Sequence, residues 1–227
     1  MQAQAPKSLE HAWRSVTQRA EAAAAGRPLS VLAVSKTQPA TAIRALAGLG
    51  QRAFGENYVQ EALTKQAALA DCALEWHMIG PLQSNKCRDV AAHFDWLQTL
   101  DRIKLVALLA RYRPAAMKPL NVLIQVNIDD EASKSGCAVD DIAHLADAVV
   151  AEPRLCLRGL MAIPAPSAES EVRRRAFARM RECFERLRAS HAAVDTLSMG
   201  MSEDFELAIR EGATMVRVGS LLFGARS

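Results

Sequence analysis

The chain has 227 residues, of which 50% are hydrophobic and 23% are charged, and its formal net charge is +3. This composition is typical of one soluble globular domain, and the scattered basic residues argue against a nucleic-acid-binding surface. No apolar run reaches membrane-spanning length, and the N-terminus lacks the basic start and apolar core of a secretory signal. The five widely spaced cysteines include no Cys-x-x-Cys pair, which argues against a zinc site and indicates a cytoplasmic protein.

The predicted elements alternate along the chain. An Ala-rich amphipathic helix over residues 6–25 is expected to stop at Gly26 and Pro28. Short apolar runs then alternate with helical periodicity. The predicted strands cover residues 29–36, 52–57, 75–80, 96–100, 121–128, 155–163, 196–201 and 214–223. The predicted helices between them cover residues 40–48, 59–70, 85–93, 102–112, 140–151, 169–191 and 204–211.

Eight strands that are separated by helices predict a parallel sheet with right-handed crossovers. In a chain of this length, the repeat is most economically closed as an α/β fold of the TIM type, a (β/α)8 barrel with an extra N-terminal helix. An open doubly wound sheet is the alternative, although no Gly-x-Gly-x-x-Gly follows the first strand. We expect residues 1–227 to form a single domain, because no linker interrupts the alternation.

Lys36 closes an apolar run that is otherwise typical of a buried strand. An ammonium group is costly to bury, and a lysine amine that is neutral at pH 7 can attack a carbonyl to form a Schiff base. The alternative is that Lys36 simply emerges into solvent where the strand ends. The other six lysines fall in predicted helices or polar loops, so Lys36 alone closes an apolar strand.

A candidate anion site follows the last two predicted strands. Phosphate sites of such barrels often use the loops after strands seven and eight. Backbone amides that could converge there belong to Gly200, Met201, Gly219 and Ser220. Ser202 is expected either to cap the following helix or to donate its hydroxyl to an anion. Glu203 and Asp204 would repel a phosphate, so we expect them to point away.

Three further residues have two interpretations each. Arg217 lies inside an apolar strand and needs either a carboxylate partner or a ligand. His77 is either a satisfied core histidine or a functional group, and Asn57 is either a strand cap or a ring contact. The run 173–175 of three arginines is interpreted as the solvated face of a long helix. Together, the lysine, anion cradle and inward arginine fit a Schiff-base phosphate ligand, either pyridoxal phosphate or a sugar phosphate of a class I aldolase.

Several long motifs resemble the pyridoxal phosphate homeostasis protein family of the YggS/PROSC type. They occur in family order between about residues 9 and 225. The matching segments are residues 33–37, 54–61, 77–86, 197–202 with Asp204, Ala208 and Ile209, 216–219, and 223–224.

The resemblance implies a barrel like the N-terminal domain of alanine racemase that holds pyridoxal 5'-phosphate as an aldimine of Lys36. It implies that Ser202, Gly219 and Ser220 lie at the phosphate, with Met201 beside them. It also implies that Arg217 lies near the ring or phosphate, and that Asn57 and Met78 lie near the ring.

The family resemblance further implies a non-catalytic role in vitamin B6 homeostasis, by buffering or delivery, with an influence on amino-acid and keto-acid balance. The expected partners are the cofactor and, as transient clients, apo-enzymes that depend on it, without nucleic acid or membrane. We expect a monomer or weak dimer. Because the sequence ends at Ser227, shortly after the last predicted strand, we expect no second domain like that of the racemases; weak racemase activity is the alternative. The loop that contains Lys134 is interpreted as a solvated turn, and a role of Lys134 in cofactor release is the alternative.

Overall fold

The apolar runs form eight parallel strands of a closed barrel in the computed structural model, which describes residues 7–131, 135–165, 167 and 169–224. Each strand pairs with the next along the chain, and the eighth pairs with the first. The strands are β1 (Ser30–Val34), β2 (Ala53–Glu56), β3 (Glu75–Met78), β4 (Trp96–Leu100), β5 (Leu120–Gln125), β6 (Leu155–Met161), β7 (Thr196–Ser198) and β8 (Met215–Val218). The predicted (β/α)8 barrel is therefore confirmed, and the open-sheet alternative is wrong.

Helices cover the outside of the barrel. They are α1 (Lys7–Ala24), α2 (Ala40–Gly48), α3 (Val59–Ala68), α4 (Cys87–His93), α5 (Ile103–Tyr112), α6 (Ile142–Val150), α7 (Ser170–Ser190), α8 (Phe205–Arg210) and α9 (Ser220–Phe223), with 3-10 turns before α4 and α6. The predicted extra N-terminal helix is α1, whose buried Val16 and Ala20 belong to the core. It packs against α8 and α9, so it lies over the seam where the barrel closes.

The carboxyl ends of several strands differ from the prediction. The predicted last strand, residues 214–223, contains a shorter strand followed by the short helix α9. Gly219 separates them, and the apolar residues after it are helical, with Leu222 buried. The predicted strands that correspond to β1, β3 and β7 also extend two or three residues too far, because the residues beyond each strand form loops at this end of the barrel.

The barrel wall separates two sets of buried side chains. The larger core lies where strands meet the surrounding helices. A second cluster, Trp96, Leu123 and Met161, is separate from it. Because side chains alternate across a strand, Trp96 and Gln98 share one face of β4. Gln98 bonds to residues of β3 and β7, so this face is the barrel interior. Among the described helices, none combines the length and the apolar character that crossing a membrane requires.

Candidate functional site

A cavity of about 690 Å³ opens at the carboxyl ends of the strands. Its walls come mainly from the segments that follow β1, β2, β3, β6, β7 and β8. Seven of the eight predicted site residues line it: Lys36, Asn57, Met201, Ser202, Arg217, Gly219 and Ser220. The structure thus brings together residues that are up to 184 positions apart (220 minus 36) in the chain.

Lys36 stands two residues beyond the end of β1. It is half-buried and lines the cavity, so it does not simply leave the strand for bulk solvent. Thr37, the next residue, has a φ of 65°, which turns the backbone away from the strand direction. Strand alternation explains the orientation: Val34 and Lys36 share the interior face, and both line the cavity.

A charged group of side chains lies behind Lys36, on the outer side of the barrel wall. We call Ser35, Glu56, Glu61 and Lys65 the strand-end cluster. Lys65 Nζ donates to Ser35 O at 2.7 Å, to Glu56 Oε1 at 2.8 Å and to Glu61 Oε1 at 2.6 Å. Ser35 Oγ donates to Glu56 Oε1 at 2.6 Å. The backbone N–H of Thr37 donates to Glu61 Oε1 at 2.6 Å, so the cluster holds both residues that flank Lys36.

The sequence did not predict this cluster. Lys65 was expected to be an ordinary helix lysine, but it is buried, with only 6% of its surface exposed. Glu56 is wholly buried at the end of β2. Its burial raises the pKa of the carboxyl, and the hydrogen bonds from Lys65 and Ser35 act in the opposite direction. The i,i+4 spacing of Glu61 and Lys65 was the available signal, but that spacing is equally common on solvated helices.

Two amides of the predicted anion cradle bond to side-chain oxygens. Gly219 N–H donates to Ser202 Oγ at 3.3 Å, and Met201 N–H donates to Asp204 Oδ1 at 2.8 Å. Ser202 therefore does not cap α8, which starts at Phe205 with Asp204 in the N-cap position. The expectation that Glu203 and Asp204 point away is wrong, because both line the cavity.

Close backbone approach explains the glycines of the cradle. A Cβ on Gly219 would lie 3.3 Å from both Cβ and O of Val34 on β1. Gly200 has a φ of 91°, and its Cβ would lie 2.5 Å from that of Ala208. A larger residue would push these segments apart, so Gly219 keeps the segment after β8 close to β1, and Gly200 keeps the segment after β7 close to α8.

Arg217 is 4% exposed and meets the cavity from inside the barrel. Its Nη1 donates to Ser198 O at 2.9 Å and to Ser198 Oγ at 2.8 Å, and its Nη2 donates to Ala162 O at 2.9 Å. Burial lowers the pKa of Arg217 to about 10, so the guanidinium remains a cation at neutral pH. The carboxylate-pair interpretation is not realised, since these acceptors are carbonyls and a hydroxyl.

Met78 is the predicted site residue that the cavity does not include. It is buried in the core between barrel and helices, and the neighbouring Ile79 lines the cavity instead. His77 explains the difference, because its ring points into the barrel and bonds to Gln98 Nε2 at 2.9 Å. Adjacent strand residues face opposite sides, so Met78 points outward. His77 itself is a satisfied core histidine, as one of its two interpretations predicted.

Arg173 also differs from its predicted role. The arginine run was interpreted as a solvated face, and Arg174 and Arg175 do pair with Glu171. Arg173, however, lines the cavity, and its buried Nε has no hydrogen-bond partner among the described residues. Lys134, the candidate for cofactor release, lies outside the described residues.

The donor set of the cavity fits an aldehyde that carries a phosphate. Lys36 supplies an amine, Ser202 and Ser220 supply hydroxyls, and Arg173 and Arg217 supply positive charge. Asn57 adds a buried Oδ1 without a hydrogen-bond partner in the described part of the chain. Buried polar atoms are usually satisfied, so Asn57 Oδ1 and Arg173 Nε, which have no hydrogen-bond partner among the described residues, indicate a polar ligand.

Comparison with known proteins agrees with this geometry. Residues 6–227 match the family model described as "Alanine racemase, N-terminal domain". The chain is 56% identical over 211 residues to the pyridoxal phosphate homeostasis protein of Pseudomonas aeruginosa, covering 92% of this chain and 90% of the relative. It is 53% identical over 201 residues to the protein of the same name from Escherichia coli K12, covering 87% and 86%.

Solved structures give the same picture. The chain is similar to PipY of Synechococcus elongatus with pyridoxal phosphate (PLP) bound, at 35% identity and a TM-score of 0.84, over 95% of this chain and all of that one. Alanine racemase of Corynebacterium glutamicum shares the fold at 18% identity and a TM-score of 0.73, with 96% of this chain and 61% of the racemase covered.

Proposed function

The chain belongs to the pyridoxal phosphate homeostasis protein family, and from this premise we propose that it holds pyridoxal 5'-phosphate on Lys36 and serves intracellular vitamin B6 homeostasis. The observation that carries the proposal is the shared cavity. Lys36 and the predicted phosphate cradle after β7 and β8 line the same 690 Å³ space. PLP-bound PipY, with a TM-score of 0.84, supports the same ligand.

The proposed attachment is an imine bond. Lys36 would hold the cofactor through its side-chain amine, because an amine and an aldehyde can condense to an imine with loss of water. The strand-end cluster supports this role, because it fixes Ser35 and Thr37 on either side of the lysine. An amine that is already held in one place loses less conformational entropy when the bond forms.

The remaining cavity residues divide by chemistry. We propose that Ser202, Gly219 and Ser220 bind the phosphate through hydroxyl and backbone N–H groups, with Met201 beside them. Binding in this way would exchange the Ser202–Gly219 and Asp204–Met201 hydrogen bonds for bonds to phosphate oxygens. Asn57 and Arg217 would contact the ring.

We propose storage or delivery of the cofactor rather than turnover. A racemase needs acid–base groups on both faces of the bound substrate. The chain has two tyrosines and five histidines, and none of them is among the described residues that line the cavity. Weak racemase activity is the second candidate, favoured by the shared fold of alanine racemase.

The proposed setting follows from the same role. A cofactor carrier would work in the cytoplasm, beside the apo-enzymes that it loads, and would influence amino-acid and keto-acid balance through them. The five cysteines are all free, which suits a reducing compartment. We expect a monomer or weak dimer that meets its clients transiently.

Absorption of visible light tests the proposal. Protein incubated with pyridoxal phosphate and desalted should be yellow, and Lys36→Ala should lose that colour. Lys104→Ala, which changes an exposed lysine of α5, is the matched control and should stay yellow. A wild-type protein that stays colourless and binds no pyridoxal phosphate would overturn both cofactor hypotheses and leave a class I aldolase as the alternative.

Delivery is tested separately from binding. Loaded protein and an equal amount of free cofactor are each mixed with an apo-enzyme, and recovery of that enzyme's activity is timed. Delivery predicts faster recovery than spontaneous release from Lys36 allows. Recovery at the release rate would mean storage only, and steady conversion of L-alanine to D-alanine by the loaded protein would favour the racemase.

A further inference from the structure

A line of hydrogen bonds runs through the inside of the barrel from one end to the other. Arg217 Nη1 donates to Ser198 Oγ at 2.8 Å, and Ser198 Oγ donates to Gln98 Oε1 at 2.7 Å. Gln98 Nε2 lies 2.9 Å from His77 Nδ1, and His77 Nε2 lies 2.8 Å from Glu75 Oε1. We call these five residues the interior chain. It joins the cavity to the amino end of β3.

All four bonds point in one direction. An amide nitrogen only donates, so His77 Nδ1 must accept and the ring proton must lie on Nε2. That proton is then donated to Glu75. At the other end, the Ser198 proton goes to Gln98, which leaves Ser198 Oγ free to accept from Arg217. Each donor therefore receives a hydrogen bond from the residue before it, an arrangement in which neighbouring bonds strengthen one another.

The two ends of the interior chain carry opposite charges. Arg217 is a buried cation whose hydrogen-bond acceptors on Ser198 and Ala162 are neutral, and burial lowers its pKa to about 10. Glu75 is a carboxylate with 47% of its side chain exposed, and the hydrogen bond from His77 lowers its pKa. The hydrogen bonds of the interior chain are therefore all polarised in the same direction, from the cation of Arg217 towards the anion of Glu75. The three residues between them, Ser198, Gln98 and His77, are all wholly buried.

From this arrangement we propose that Glu75, His77, Gln98 and Ser198 are positioning residues, which fix the guanidinium of Arg217 in the cavity wall and keep its free face directed at the bound cofactor. The inference rests on the proposed function, since it concerns how tightly that cofactor is held. Glu75 lies at the opposite end of the barrel from the cavity and cannot touch the ligand. Its influence on cofactor binding would therefore be indirect, through the position of Arg217.

The test compares interior-chain variants with a matched control in the protein loaded with pyridoxal phosphate. Gln98→Leu breaks the chain in the middle, and Glu75→Gln keeps an acceptor for His77 but removes the charge at the far end. Asp71→Asn is the control, because it removes an exposed carboxylate that follows α3 and pairs with Arg44, away from the interior chain. The readouts are the wavelength of the visible absorption maximum and the rate of cofactor release.

We expect Gln98→Leu to shift the absorption maximum and to accelerate release about fivefold, the equivalent of one lost hydrogen bond. Glu75→Gln should produce a smaller change in the same direction, and Asp71→Asn none. If both interior-chain variants lower Tm but keep the wild-type spectrum and release rate, the chain is only structural and the inference is wrong. Glu75→Gln alters a half-exposed residue, so a folded variant remains even if Gln98→Leu does not fold. A colourless wild-type protein would instead reject the proposed function.

Discussion

Two polar groups flank the cavity, one on each side of the barrel wall, and they are built differently. The strand-end cluster lies between β1, β2 and α3 and consists mainly of ions, with Lys65 facing two carboxylates. The interior chain places only neutral groups between Arg217 at one end and Glu75 at the other. Each supports a different cavity residue, Lys36 in the first case and Arg217 in the second.

The difference follows from what each location can supply. Between barrel and helix, a long lysine on α3 can reach the buried Glu56 and the half-buried Glu61, so charges neutralise one another. Inside the barrel, the buried cation of Arg217 is instead satisfied by two backbone carbonyls and a hydroxyl, which belong to Ser198 and Ala162. We therefore expect removal of one ion from the strand-end cluster to cause a large loss of stability. Removal of one residue from the interior chain should have a smaller effect.

Lys65→Met should have the largest effect on stability. It leaves Glu56 wholly buried without its cation, and breaking a buried ion pair from one side costs about 3–5 kcal/mol. Urea denaturation would measure the loss in the free energy of unfolding. The double variant Lys65→Met/Glu56→Gln should recover much of it, because no wholly buried charge is then left unpaired; Glu61 also loses its cation, but its side chain is 27% exposed. If the double variant is as unstable as the single one, the loss comes from packing and not from charge.

The alternation of strands and helices was predictable because it depends on local periodicity, and so was the gathering of strand ends at one edge. Lys36 and Ser202 were found this way, since Lys36 ends one predicted strand and Ser202 directly follows another. The side of the barrel wall on which Met78 lies was predicted wrongly. The family resemblance placed Met78 near the cofactor ring, but His77 points into the barrel, so the alternation of side chains along β3 places Met78 on the outer side.

The partners of helix residues could not be predicted. Lys65 and Arg173 lie in helices with ordinary charged patterns, and such patterns are typical of solvated faces. What makes them different is the packing of α3 against β2 and the position of the first turn of α7 beside the cavity. Those contacts join residues that are distant in sequence, so no local pattern encodes them.

The next largest effect on stability is expected from His77, whose protonation makes the free energy of unfolding depend on pH. Burial lowers its pKa, so the folded protein keeps the ring neutral while an unfolded histidine takes up a proton near pH 6.5. The unfolded state therefore binds more protons as the pH falls below about 6.5, and stability decreases, by at most about 1.4 kcal/mol per pH unit for this one group. Comparing urea midpoints of wild type and His77→Gln between pH 7 and 5 isolates it: the variant should lose less stability. Parallel curves would contradict a buried neutral His77 in the interior chain.

The smallest effect is expected where a polar pair is neither buried nor linked to the cavity. Arg19 binds Glu206 through two bonds of 2.9 Å, joining α1 to α8, but the side chains are 41% and 34% exposed. Glu206→Gln should cost less than about 1 kcal/mol, as exposed ion pairs do. Because salt screens such pairs, the cost in urea denaturation should shrink further at high ionic strength. The cost of Lys65→Met should persist there, since its partner Glu56 is wholly buried. Equal salt sensitivity of the two variants would show that burial is not what separates the strand-end cluster from the surface.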